Sequence, residues 1–168
     1  MSNTPATSTP NSNAVGVLPC EDAIGSSPAP PSGYSTVFDR VALPTGKALQ
    51  AFPSGESDPA AKLFAKERLL IRRNVTFDVI VPGEWTGRLT IGWGSPAKRT
   101  NHLRVPGCRP TETINPLRDS DPWVAYAGGY WVSQPACIQL IVRTGQGDQT
   151  VQIGVGAACP GESPPPSP

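Results

Sequence analysis

Short stretches of alternating apolar and polar residues, separated by glycine and proline, run through most of the chain between residues 34 and 159. In VTFDVIV at 75–81 the odd-numbered residues, from Val75 to Val81, are all apolar and share one face of an extended strand. Similar stretches at 34–43, 88–94 and 101–105 predict further strands. CIQLIVRTG and QTVQIGVG predict two more, joined by a hairpin turn that contains Gly145, Gly147 and Asp148.

The segment LFAKERLLIRR at 63–73 fits two different structures. The spacing of Leu63, Lys66 and Leu70 is that of one helix face, whereas RLLIRR followed by NVTFDVIVP fits two strands of a hairpin turning near residues 73–74. We predict a short helical turn at 58–65, followed by strands.

Short strands at a spacing of about ten residues, with no alternation of strands and helices, predict an all-β fold. The expected architecture is an antiparallel, immunoglobulin-like β-sandwich of about seven to nine short strands, with two disulfides. We place this single domain at residues 18–160. Residues 1–17 are rich in Ser, Thr, Pro and Asn, and residues 161–168 are rich in Pro, so both are expected to be a disordered spacer and tail.

The stretch WVAYAGGYWV at 123–132 is the most aromatic part of the chain. In a strand, the two tryptophans share one face while Tyr126 and Tyr130 share the other. The strand is therefore expected to be central, or covered by a loop on its second face. The Gly pair inside it predicts a bulge or a close approach of another backbone. Core packing is the preferred interpretation, and the alternative is a binding surface in which Tyr126, Tyr130 and Trp131 contact a ligand.

The charge is balanced, with 14 Lys and Arg against 13 Asp and Glu, which argues against a nucleic-acid partner. Basic residues concentrate at 66–73 and 98–105. If these segments form neighbouring strands, Arg72 and Arg104 lie on a basic face that could meet anionic wall polymers or lipid headgroups. A solvated polar face is the alternative, and the preferred, interpretation.

Four cysteines are present, none within CxxC spacing, and three pairings are possible. We predict the nested pairing Cys20–Cys159 and Cys108–Cys137, in which the first bond ties the two ends of the domain together. An even number of cysteines beside Pro and Gly turns is typical of oxidising compartments. The alternative is a cytosolic protein with free thiols.

The start of the chain has no signal-peptide pattern, and no apolar run reaches the length of about 18 residues that a membrane span needs. Export therefore requires a targeting segment that has been removed. Anchoring to the membrane by a segment absent from this chain is a further possibility.

Catalytic motifs are weak. His102 is the one histidine, and no GxSxG nucleophile motif accompanies it. Scattered carboxylates and one histidine provide no metal-ligand cluster, so neither a metal nor another cofactor is expected. We predict that the protein is not an enzyme, and the alternative is a small secreted hydrolase that uses His102 or paired carboxylates.

The motifs together resemble a group of small exported proteins of high-GC Gram-positive bacteria. The resemblance rests on the following elements: Cys20, Leu70–Arg72, Val79–Pro82, Trp93–Gly94, Cys108, Tyr126–Tyr130, Pro135–Val142 and Val151–Cys159. It implies export and disulfides, and contributes no catalytic residue. The expected function is that of an exported binding or structural module of the cell envelope, whose partner is a protein or a wall component.

Overall fold

A computed structural model describes residues 14–108 and 121–165. Its strands are β1 Gly16–Val17, β2 Gly25–Ser27, β3 Tyr34–Val37, β4 Val41–Pro44, β5 Phe52–Pro53, β6 Leu63–Lys66, β7 Leu69–Arg72, β8 Phe77–Ile80, β9 Leu89–Trp93, β10 His102–Val105, β11 Trp123–Tyr126, β12 Gly128–Val132, β13 Ala136–Thr144 and β14 Gly147–Val155. The described residues also contain three short 3-10 helices, at Cys20–Asp22, Pro59–Ala61 and Gly83–Trp85. None of the helices in the described ranges has the length and apolarity needed to cross a lipid bilayer.

The strands form three sheets. Sheet I has the order β1-β10-β8-β13-β14, sheet II the order β2-β11-β7-β4-β3, and sheet III the order β5-β6-β12-β9. The pairs between named strands are antiparallel except for β1 with β10. The predicted all-β class with antiparallel sheets and two disulfides is therefore confirmed, although the strands are more numerous than predicted. Strands of two or three residues, such as β1 and β5, are too short to show an alternating pattern.

Sheets II and III are joined by one long two-stranded ribbon. β6 and β7 run along one side of it, and β12 and β11 along the other. Lys66 lies opposite Gly129 and Leu69 lies opposite Tyr126, so the register is the same on both sides of the break. The predicted strand at 123–132 is therefore two strands in line, and the ribbon is interrupted without an inserted residue.

The glycine pair lies directly after this interruption, and the backbones of the neighbouring strands approach it closely. A Cβ atom on Gly128 would collide with the carbonyl oxygen of Gly92, and one on Gly129 would collide with that of Ala65. Gly128 and Gly129 therefore allow β12 to fit between β6 and β9. The predicted close approach is present, and β11 and β12 are both central strands, as expected.

The inner faces of all three sheets share one apolar core, which makes the fold sandwich-like. Alternate residues of the strands enter it, including Phe77, Val79, Leu103, Ile138, Leu140 and Ile153 from sheet I, Leu69, Ile71 and Val124 from sheet II, and Ile91, Tyr130 and Val132 from sheet III. A small second cluster, made of Ala42, Leu70, Trp123 and Ala125, lies on the other side of sheet II. The two-faced burial of the strand that begins at Trp123 explains its aromatic content.

Two of the predicted connections are wrong. The segment 34–43 is a β3–β4 hairpin and not one strand, because Phe38 and Asp39 both take positive φ angles and reverse the chain. The turn at residues 73–74 leads β7 of sheet II into β8 of sheet I, so the two strands do not pair. By contrast, the β13–β14 hairpin is present, with Thr144 opposite Gly147.

The disulfides join Cys20 to Cys108 and Cys137 to Cys159, so the nested pairing predicted from the sequence is wrong. Pairing of β1 with β10 brings Cys20 beside the chain that follows β10, with Cα atoms 5.2 Å apart. Pairing of β13 with β14 brings Cys137 beside the chain that follows β14, at 4.9 Å. Each disulfide thus joins two chain segments that a strand pairing brings close together. Two disulfides are typical of proteins that fold in an oxidising compartment.

The ordered part of the chain extends beyond residues 18–160 at both ends. Gly16–Val17 lies in the predicted disordered spacer but forms strand β1. In the predicted C-terminal tail, the Glu162 carboxylate accepts a hydrogen bond from the Cys159 N–H, and Ser163 forms a parallel bridge with Lys47. The predictions of disorder for 1–13 and 166–168 concern residues outside the described ranges.

Candidate functional site

A pocket of about 470 Å³ is lined by residues of sheet II, of sheet III and of the loop between β4 and β5. Tyr34 of β3 and Pro44 of β4 belong to the lining from sheet II, and Phe52 of β5 belongs to it from sheet III. The remaining lining residues are Ser32, Gly33, Lys47, Ala48, Leu49, Gln50, Lys66 and Glu67. Pockets with apolar and aromatic walls and a few polar groups are the usual sites of small ligands.

Glu67 lies at the interruption of the ribbon between β6 and β7. Its sequence position has the same parity as Ala65 and Leu69, which are fully buried, so its side chain is directed toward the core face. The backbone is held on both sides, because its N–H donates to the Gly128 carbonyl at 3.0 Å and its carbonyl accepts from Trp93 Nε1 at 2.8 Å. Glu67 is therefore fixed in position at the pocket.

Desolvation dominates the electrostatics of this carboxyl group. Burial raises the pKa of Glu67 to about 7, against the opposing effect of a hydrogen bond from the Arg68 backbone and of the Arg68 charge. The nearby hydroxyl of Tyr130 is fully buried, and burial raises its pKa well above its usual range, with a contribution from the Glu67 charge. Glu67 is half protonated near neutral pH, so it can both donate and accept hydrogen bonds there.

The side chains that line the pocket include aromatic, basic and acidic groups. Phe52 is 53% exposed, an unusual state for a large apolar side chain in this protein, and Tyr34 is half-buried. Lys47 and Lys66 are exposed and also belong to the lining. Among the described residues that line the pocket, Glu67 is the one acidic group.

The loop at 45–51 contributes four residues to the pocket lining and is anchored to sheet I. The Leu49 N–H donates to the Gly154 carbonyl at 2.8 Å, and the Gly156 N–H donates back to the Leu49 carbonyl at 2.8 Å. The Ala48 N–H also donates to the Ser163 carbonyl at 3.1 Å. The pocket is thus held by hydrogen bonds to a part of the chain about a hundred residues away.

The hypothesis that Tyr126 and Tyr130 are surface anchors is wrong. Their relative exposures are 1% and 0%, and both rings belong to the main core. The Tyr126 hydroxyl lies 3.9 Å from Cys108 Sγ, and the Tyr130 ring stands edge-on to Trp93 with ring centroids 5.3 Å apart. The predicted sharing of one strand face is correct, but that face is the buried one.

The other predicted binding residues do not form one surface. Trp131 is half-buried on the outer face of sheet III, where its ring packs against Phe64 at 4.6 Å. Arg72 of sheet II forms an ion pair with Asp39 at 2.9 Å and also lies over the Trp123 ring. Arg104 is in sheet I. The predicted basic face is therefore wrong, because segments 66–73 and 98–105 do not pair.

His102 takes part in a charged row on the outer face of sheet I. Its Nε2 lies 2.6 Å from Asp78 Oδ2, and Arg104 Nε lies 3.6 Å from the other Asp78 oxygen. Arg143 lies opposite Asp78 on the neighbouring strand and forms a two-point ion pair with Asp148 on the next. The shallow groove beside the row is lined by Asp78, Arg104 and Arg143 and not by His102. This arrangement pairs charges across four adjacent strands.

Sequence reasoning missed Glu67, Phe52, Tyr34 and Lys47 as a group. One feature of the sequence could have indicated Glu67: it is an acidic residue at an alternate position of the strand, on the same face as Leu63, Ala65 and Leu69. The other three lie in loops or at the ends of short strands, and no local pattern places them together.

In residues 14–108 and 121–165 no group of three or more His, Cys, Asp or Glu side chains is placed to hold a metal ion. No known protein family, curated protein or solved structure matches this chain. The expected relationship to exported proteins of high-GC Gram-positive bacteria therefore stays a prediction.

Proposed function

We propose that this protein is an exported, non-enzymatic binding module of the cell envelope, and that its ligand occupies the pocket around Glu67. The observation that carries the proposal is the exposed Phe52 ring beside a desolvated carboxyl in a pocket of about 470 Å³. A carboxyl group in a cleft whose pKa is raised by desolvation is a candidate functional group.

Binding is favoured over hydrolysis by the composition of the pocket. Glycoside hydrolysis uses two carboxyl groups that flank the scissile bond, and the described lining contains one. The His102–Asp78 pair lies on the outer face of another sheet, among ion pairs that link its strands. A single carboxyl with lysines and aromatic rings matches recognition of a ligand.

An envelope location is supported by the two disulfides, which join all four cysteines. Reduction with alkylation checks it on protein from the native host. We expect four alkyl groups to be added only after reduction, whereas four groups added without reduction would show free thiols and a reducing compartment. The mature N-terminus in the same mass spectrum would reveal an anchor or a cleaved targeting segment.

Co-sedimentation of the purified chain with insoluble envelope material from the source organism tests the binding role. We expect the F52S variant to lose at least about three-quarters of the retained protein, because a large aromatic ring is a typical interface anchor. V17S is the matched control, since Val17 is also an exposed apolar residue, at 59%, but lies in sheet I away from the pocket. Equal retention of F52S and the wild type would show that the pocket is not the binding site.

A further inference from the structure

We propose, resting on the binding role of the pocket around Glu67, that its ligand is a saccharide that carries a carboxylate group. The aromatic side chains, the two lysines and the Glu67 carboxyl in the pocket lining support this ligand class.

The aromatic walls fit a ring-shaped ligand with an apolar face. Phe52 and Tyr34 both line the pocket and belong to different sheets. Each offers a flat, partly solvated surface, and the C–H face of a pyranose ring can pack on such a surface. The polar side chains of Ser32 and Gln50 lie in the same lining and can exchange hydrogen bonds with sugar hydroxyls.

The charges at the pocket favour an anion. The lining contains two lysines, Lys47 and Lys66, against one acidic residue, Glu67. A cationic ligand would meet both lysines, whereas a carboxylate would be attracted by them. The neutral, protonated form of Glu67 adds a hydrogen-bond donor for the same carboxylate.

Two charged or titratable groups interact with the Glu67 carboxyl: Arg68, which follows it in the chain, and Tyr130 of β12. Lys66 of β6 and Lys47 of the loop at 45–51 belong to the lining of the same pocket. Burial holds the pKa of Glu67 near 7, so the fraction of protonated Glu67 falls about ten-fold between pH 6 and pH 8. Ionised Glu67 would repel the ligand carboxylate, and affinity is therefore expected to fall by about ten-fold over this range.

The experiment is an NMR titration of the ¹⁵N-labelled full chain with four acidic sugars, each compared with its own methyl ester. The probes are glucuronate, galacturonate, N-acetylmuramate and N-acetylneuraminate. Methyl esterification removes the charge and leaves the ring unchanged. We expect at least one acid to shift the amide signals of Phe52 and Glu67 at pH 6, with an affinity at least ten-fold higher than that of its ester.

Three variants test which side chains cause the preference for an acid over its ester. K66M should reduce the acid-to-ester preference at least three-fold, while K62M, at an exposed lysine outside the pocket lining, should leave it unchanged. E67Q should retain binding of the acid at pH 6 and remove the pH dependence, because glutamine keeps a donor at every pH.

The outcomes separate the ligand class from the binding role. If esters bind at the pocket as tightly as the acids, or if none of the sugars shifts the pocket signals, the carboxylate-saccharide proposal is wrong. In either case the comparison of F52S with V17S in envelope retention still decides the binding role independently. Retention that depends on Phe52 without sugar binding would identify a non-saccharide ligand.

Discussion

The indole Nε1–H of Trp93 donates a hydrogen bond of 2.8 Å to the backbone carbonyl oxygen of Glu67. Trp93 is buried at the end of β9 and packs edge-on against Tyr130. The bond satisfies a carbonyl at the interruption of the ribbon, where regular strand pairing stops. The Glu67 backbone is thus held by a core residue that does not line the pocket.

Replacing Trp93 with Phe tests this link. W93F keeps an aromatic ring but removes the donor, so the Glu67 carbonyl loses its partner and the core loses volume. We expect the free energy of unfolding to fall by about 2–3 kcal/mol. The Glu67 pKa, followed by ¹³C NMR of its side-chain carboxyl, should also move down toward 4.5 as the local structure loosens.

W131F is the control for this experiment. Trp131 is half-buried on the outer face of sheet III, and phenylalanine preserves its ring contact with Phe64. Its cost is expected to stay below about 1 kcal/mol. A W93F protein as stable as wild type would show that the indole bond contributes nothing to the site.

The sequence predicted the class of fold and much of the strand pattern, because alternation along single strands is a local property. It predicted correctly that Tyr126 and Tyr130 share a face. It also favoured core packing for this segment, which the burial of both tyrosines confirms. It did not predict which face lies on the main core, because both faces of the segment are apolar. Burial of a strand with two apolar faces is decided by which elements cover it, and those are distant in the chain.

The pocket and the disulfide pairing were not predictable for the same reason. Tyr34, Phe52 and Glu67 line one pocket because sheets II and III share one ribbon. No local sequence pattern indicates the register of the strands in that ribbon. Cys20 pairs with Cys108 because the two-residue strand β1 joins β10, and two residues carry no periodicity.

Stability should depend on pH through Glu67. Below its ordinary pKa of 4.5 the carboxyl is protonated in both states and contributes nothing. Between about 4.5 and 7 the unfolded chain releases the proton while the folded protein keeps it, so stability falls as pH rises. The loss should level off above pH 7 at about 2 kcal/mol, after allowance for partial exposure.

E67Q isolates this contribution, because its side chain does not titrate. Denaturant unfolding should give the same stability for E67Q and wild type at pH 4, and a higher stability for E67Q at pH 8. E56Q, at an exposed glutamate outside the pocket, controls for the loss of one negative charge. A wild-type minus E67Q difference that is constant from pH 4 to pH 8 would exclude a desolvated Glu67.

Removing the Tyr130 hydroxyl should not destabilise the protein. The Tyr130 hydroxyl oxygen is buried and has no hydrogen-bond partner in the described part of the chain, so the folded state carries its desolvation cost without compensation. We expect Y130F to be between neutral and about 1 kcal/mol more stable than wild type in denaturant unfolding. A loss above about 1 kcal/mol would mean that the hydroxyl has a partner in the folded protein.

Y126F provides the comparison for Y130F. The Tyr126 hydroxyl lies 3.9 Å from Cys108 Sγ and has contacts in the core, so its removal should cost about 1 kcal/mol. The two tyrosines are equally buried, and a difference in sign between Y126F and Y130F therefore reports on hydrogen bonding rather than on burial.

The two disulfides should contribute unequally to stability. Cys20 and Cys108 are 88 residues apart, whereas Cys137 and Cys159 are 22 apart. In the chain-entropy account, the longer loop restricts the unfolded chain more, by about 4–5 kcal/mol against about 3–4 kcal/mol. The paired variant C20S/C108S should therefore be less stable than C137S/C159S by about 1 kcal/mol in denaturant unfolding, and pairs of serines avoid leaving a free thiol. Equal stabilities would contradict the entropic ranking, and a proteolytic peptide linking Cys20 to Cys159 would contradict the pairing itself.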